Sequence, residues 1–285
     1  MKALGFTEVS LKEIVEYVKT HATDTESIMD TIFSSHVPAF RFSDKYIIKY
    51  LKVAESLALS KLFLHESEAQ RELYSLHPKI YGIACDPKSA ESYVAMQNYN
   101  TVKELSQLEV KIGRFGFLPS FTDRKQSNKL RRANEFGVLN QEYRICVLQR
   151  LDMHGADVSQ VKRVAGEKVP FSVDDLSLFF YLTKGETEAG KRAFLLETLD
   201  FFIAKTDRLR WLFQERADEI GIMVTSASLI FLVDFKRETR DLKLIDYGGS
   251  LPTSKTSLWL DENVDALNAV VAELTRVKSL LTEQN

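Results

Sequence analysis

The sequence predicts an α+β fold in two lobes, a small N-terminal lobe over residues 1–98 and a larger C-terminal lobe over 99–285. Three observations carry that expectation. Before residue 98, strand-like runs surround one short helical pattern. Next, the strand-like stretch Leu108-Glu-Val-Lys-Ile-Gly113 carries two charged residues at alternate positions. Finally, long helical patterns at 186–216 and 261–281 bracket the apolar runs Leu229–Asp234 and Leu242–Ile245.

Bulk composition narrows the function classes. A chain of 285 residues can bury a core in each of two lobes. Hydrophobic content of 45% with 27% charged residues is that of a soluble globular protein. Net charge is −2, so anion binding must come from local patches. The cysteines, Cys85 and Cys146, make no disulfide or zinc pattern, which points to a reducing, intracellular compartment, cytoplasmic or nuclear. The N-terminus lacks a secretory apolar core, and no run is long enough to span a bilayer, so no membrane insertion is expected.

Taken in order, residues 8–33 read as amphipathic helices, with Leu11, Ile14, Val15 and Val18 at helical spacing. The period then changes. Pro38–Phe42, a polar turn at 43–45 and Tyr46–Leu51 form an expected β-hairpin, with Lys49 between apolar neighbours in its second strand. Glu66–Leu76 reads as a helix stopped by His77-Pro78, and its acids Glu68 and Glu72 share one face. Ile80–Ile83 and Ser92–Gln97 are further strands. A hairpin with a lysine, a helix with a glutamate and two more strands form the order of a kinase small lobe, where that pair orients ATP phosphates. The lobe boundary is set near Asn98.

Behind the central stretch, Arg124, Lys125, Lys129, Arg131 and Arg132 lie in an expected helix from 122 or 123 to 133, within a basic and polar segment at 114–140. Lys125, Lys129 and Arg132 fall at i, i+4 and i+7 and share one helical face. The bland alternative for that face is solvation. Tyr143–Leu151 resumes as a strand, Ser172–Leu182 and 186–216 as helices, and Met223–Ser226 and Leu229–Asp234 as strands. A turn at Lys236–Asp241 leads into Leu242-Lys-Leu-Ile-Asp-Tyr-Gly248, which places Asp246 directly after an apolar strand, where a nucleotide-bound metal could be held.

These motifs resemble those of the inositol polyphosphate kinases: the multikinases, hexakisphosphate kinases and trisphosphate 3-kinases. The family motif P-x-x-x-D-x-K-x-G is matched by Leu105-Ser-Gln-Leu-Glu-Val-Lys-Ile-Gly113, and its G-F-R-I-C-G-like strand by Glu142-Tyr-Arg-Ile-Cys-Val147. S-S-L-L is matched by Ser226-Ala-Ser-Leu229, I-D-F by Ile245-Asp-Tyr247, and the closing family helix by the spacing of Glu262–Val270. The resemblance runs from about residue 37 to 281 in unbroken order. It departs at Leu105 for proline, Glu109 for aspartate, Gln97-Asn98 for an acidic hinge pair, and Gly249 for a substrate-binding histidine or lysine.

The resemblance implies a two-lobed kinase-like fold with a helical substrate-binding insert, using ATP and Mg²⁺ on a soluble inositol polyphosphate. It implies that Lys49 holds ATP phosphates, oriented by Glu72, and that Gln97 and Asn98 meet the nucleoside. Asp246 would bind the metal, Glu109 would orient or deprotonate the attacking hydroxyl, and Lys111, Lys125, Lys129 and Arg132 would hold substrate phosphates, with Lys255 compensating for Gly249. A monomer is expected. The rival from within the family is a weak or inactive relative that senses inositol phosphates or scaffolds partners. Nucleic-acid binding is disfavoured, because the basic segment lacks interleaved aromatics and the chain is not basic overall. Histidines without ligand spacing argue against a metal hydrolase. No nucleophile motif supports a serine or cysteine hydrolase.

Overall fold

A computed structural model describes residues 39–41, 46–51, 59, 61–62, 66–85, 92–97, 105–112, 143–149, 151, 176–180, 189–222, 224, 227–245 and 258–283. The helices expected at 8–33 and at 122–133 lie outside the described residues. The chain divides into two compact units, Met1–Lys103 and Glu104–Asn285.

The first unit holds an antiparallel sheet of β1 (Ala39–Arg41), β2 (Tyr46–Leu51), β3 (Ile80–Cys85) and β4 (Ser92–Gln97), in the order β1-β2-β4-β3. The expected hairpin is present, with Ala39 opposite Lys49. Helix α1 (Glu68–Ser75) begins two residues later than the pattern suggests, because Ser67 caps it. The Ser67 hydroxyl accepts from the Gln70 N–H at 3.1 Å, and the Gln70 side chain accepts from the Ser67 and Glu66 amides. The His77 N–H donates to the Tyr74 carbonyl at 2.9 Å and Pro78 follows, so the helix cannot continue. Tyr74 stacks on His77, and burial pushes its phenol above the usual tyrosine range.

In the second unit, β5 (Ser106–Ile112), β6 (Tyr143–Gln149), β7 (Ser228–Asp234) and β8 (Thr239–Ile245) form an antiparallel sheet in the order β6-β5-β7-β8. Short α2 (Leu176–Phe179), long α3 (Ala189–Glu215), short α4 (Ala217–Ile220) and long α5 (Leu258–Glu283) complete the described elements. Phe194, Leu195, Leu199, Phe202 and Leu209 are all buried, as the helical spacing of α3 requires. Phe202 meets Phe231 of β7 edge-to-face at 4.9 Å, and Phe180 packs on Phe202 from the end of α2. Helix α5 turns Ala266, Leu267, Val270, Leu274 and Val277 into the same core. Its Asn263 reaches back to the Val224 carbonyl, just ahead of β7. Helix α4 stops where Gly221 takes a left-handed φ of 65° and donates to the Ala217 carbonyl at 3.0 Å. Among the described residues no helix is long and apolar enough to cross a membrane.

The turn joining β7 to β8 is shorter than the sequence suggests. Thr239–Asp241, expected in the turn, pair with β7. Asp234 explains this. Its carboxylate is 2% exposed and accepts from the amides of Lys236 and Arg237 and from the Arg237 guanidinium, closing the turn at once. Asp234→Ala should therefore destabilise the second unit by about 1–3 kcal/mol, read as a lower urea midpoint. Wild-type stability in that variant would show that the turn closes without its carboxylate.

Candidate active site

The sheet of the second unit has two unlike faces, and β5 shows why. Its burial alternates after Leu108, with Val110 and Ile112 buried and Glu109 and Lys111 only partly so. Leu108, Val110 and Ile112 share a face with Leu229, Phe231 and Val233, the face on which α3 packs. Glu109 and Lys111 therefore lie on the face turned away from α3. The alternation read from the sequence is present.

Cross-strand partners define what surrounds them on that face. Glu109 stands opposite Ile230 of β7, and Ile230 opposite Lys243 of β8. One row along, Lys111 stands opposite Ser228, and Ser228 opposite Ile245. Ile245 closes β8, and Asp246 is the next residue in the chain. Neighbouring strands are about 4.8 Å apart and alternate residues on a strand about 7 Å apart, so these rows form one patch. Ser228 is fully buried, and its hydroxyl has no hydrogen-bond partner among the described residues. A buried hydroxyl left this way costs free energy unless something else occupies it.

On the other side of β5 the ladder with β6 breaks step at the candidate carboxylate. Glu109 pairs with Val147 but Val110 with Ile145, which leaves Cys146 as an extra residue. Bulges of this kind raise local twist and re-aim neighbouring side chains. This one also lets Tyr143, Ile145 and Leu148 all be buried, and it makes Arg144 the register partner of Lys111.

In the first unit, Lys49 lies on an inner strand between Ala39 and Val94, not on an edge. Its side chain is partly buried, beside a fully buried Val94. Glu72 is partly buried on α1, whereas Glu68 is exposed in the first turn. Gln97 ends β4, and its N–H donates to the Lys79 carbonyl at 2.8 Å. Asn98, Lys125, Lys129, Arg132, Asp246 and Lys255 lie outside the described residues.

Lys243 was not singled out from the sequence, nor was the buried hydroxyl of Ser228 given a task. A lysine between Leu242 and Leu244 carries a period-two signal only. Its neighbours on the face come from β5, more than about 130 residues back in the chain, and from β7 across a turn, about which spacing along the chain is silent.

No family model and no curated protein matches this sequence. Solved structures do match. An inositol phosphate multikinase superimposes with a TM-score of 0.56 at 12% identity, over 79% of this chain and 100% of that one. The fold is shared. The inositol phosphate multikinase of S. cerevisiae, solved with ADP and Mn²⁺, gives a TM-score of 0.54 at 14% identity over 81% of this chain and 98% of that one. The expected α+β, kinase-like fold is therefore the observed one.

Proposed function

We propose that this chain is an ATP- and Mg²⁺-dependent kinase that phosphorylates a soluble inositol polyphosphate. The observation that carries the reading is the pair Glu109 and Lys111, partly buried together on the face of β5 opposite α3, within a multikinase fold. A carboxylate and an ammonium about 7 Å apart along a strand suit a hydroxyl that must be oriented and a phosphate that must be held.

In this reading Glu109 accepts the proton of the attacking hydroxyl or orients it, and Lys111 holds a phosphate already on the ring. Lys125, Lys129 and Arg132 hold further phosphates through charge-assisted hydrogen bonds, with Lys255 in support. Lys49 holds the ATP phosphates, with Glu72 orienting it. The nucleoside meets Asn98 and the backbone at Gln97. Because the Gln97 N–H already donates to Lys79, that contact would have to use its carbonyl. Asp246 would hold the divalent cation. Mg²⁺ there supplies positive charge against the transferring phosphoryl group. The orphaned Ser228 hydroxyl, in one row with Ile245, supports the fit, because oxygen donors suit a hard cation. A monomeric, intracellular enzyme is the expectation that accompanies this function.

The decisive test is incubation with Mg-ATP and a panel of inositol phosphates, with product positions read by NMR. Binding of an inositol phosphate without turnover would favour the second reading, an inactive sensor or scaffold. Glu109 in place of aspartate and the Gln97-Asn98 hinge favour that alternative.

The basic segment gives a separate prediction. Lys125→Glu combined with Arg132→Glu should raise KM for the inositol phosphate and leave KM for ATP nearly unchanged. Each lost charged contact is worth roughly 1.5–3 kcal/mol, so two should raise KM by well over about tenfold. Parallel weakening of both substrates, or a collapsed thermal melt, would make that segment structural.

A further inference from the structure

Lys243 is a lysine in an uncommon place. Its side chain is only 14% exposed, although lysine is among the residues least often buried. The ammonium lies 3.0 Å from Asp241 Oδ2, one pleat away on the same strand face. The Leu242 N–H donates to the other Asp241 oxygen at 2.9 Å, so the backbone fixes the carboxylate that holds Lys243. Through Ile230, Lys243 lies in one row with Glu109. It is diagonal to Lys111, roughly 12 Å away at Cα by strand geometry, within the combined reach of two extended lysine side chains.

Lys111 and Lys243 thus flank the buried Ile230, with Glu109 opposite it on β5 and the Ser228 hydroxyl two residues away on β7. Among the described residues Lys111 has no carboxylate in ion-pair range. Asp241 lies toward the solvent, its side chain 48% exposed. Two ammonium groups within joint reach suit an anion with several oxygens.

We propose that Lys243 is a second phosphate-binding cation on this face, converging with Lys111 on a phosphorylated small molecule, and that Asp241 is the counter-ion that limits its affinity. The inference rests on the kinase reading above and adds to it a residue and a control on specificity. Phosphate oxygens accept from both ammonium groups. Binding draws Lys243 partly away from Asp241.

The two members of the ion pair then have opposite effects, which a purely structural pair would not. Inositol hexakisphosphate is titrated calorimetrically into the full chain and its variants, with a thermal melt on each preparation. Lys243→Met should weaken binding by about tenfold or more, and Lys243→Arg should largely restore it. Asp241→Asn should tighten binding by about two- to fivefold, the scale of a partly exposed charge pair. Unchanged affinity in Lys243→Met, with the wild type binding, removes Lys243 and leaves the kinase reading standing. Weaker binding in Asp241→Asn overturns the counter-ion role, even where Lys243→Met fails to fold. A wild-type chain that binds no inositol hexakisphosphate overturns this inference, while turnover across the inositol phosphate panel decides the kinase reading separately.

Discussion

Replacing Asp246 with asparagine should abolish Mg²⁺-dependent phosphoryl transfer while leaving the fold intact. The residue directly follows Ile245, the last residue of β8, whose partner across the ladder is Ser228, with a hydroxyl that has no partner among the described residues. Asparagine keeps the size of the side chain but removes the negative charge that a divalent cation needs. Losing that charge should cost about a thousandfold or more in kcat, the scale seen when preorganised transition-state stabilisation is removed. The melting temperature should stay near that of the wild type. Metal-dependent turnover within a few-fold of the wild type, measured across a magnesium titration, would remove Asp246 from the mechanism.

The second large effect is expected at Glu109. Under the proposed mechanism, glutamine at this position removes the proton acceptor and should lower kcat by about a hundredfold or more, with KM for ATP little altered. Aspartate shortens the reach by one methylene, and a misplacement of about 1 Å can itself cost on the order of a hundredfold. The β6 bulge lies opposite this residue, between the pairs Glu109–Val147 and Val110–Ile145. If the bulge leaves the longer side chain slightly overextended, Glu109→Asp should equal or exceed the wild type. Undiminished rates in both variants would make Glu109 an ordinary strand residue.

Much of the framework was legible because its signals are local. The hairpin at β1 and β2, the His77-Pro78 stop after α1 and the apolar stripe of α3 each depend on residues a few positions apart. The alternation of β5 was legible for the same reason. The bulge at Cys146 was not, because strict alternation along Tyr143–Gln149 gives no warning that Ile145 and Leu148 face one core. The early turn at Asp234 was missed because a carboxylate before a charged run looks like surface, whereas here it is buried and triply hydrogen-bonded. The patch around Ile230 was hidden for a different reason. Its members come from three strands, and only their register brings Glu109, Ser228 and Lys243 together.

The sheet order has a consequence for how the second unit assembles. Strands β7 and β8 are joined by a tight turn and can zip together locally, but β5 gains β7 as a neighbour only after residues 113–227 have been gathered between them. Closing so long a segment costs roughly 4 kcal/mol in chain entropy, against little for the hairpin. Topologies dominated by such distant pairings form slowly. Glu109 and Lys111 should therefore join Ser228 and Lys243 late in folding. Under mild denaturation the same pairing is the vulnerable one, so ligand binding should fade while the β7–β8 hairpin still resists hydrogen exchange.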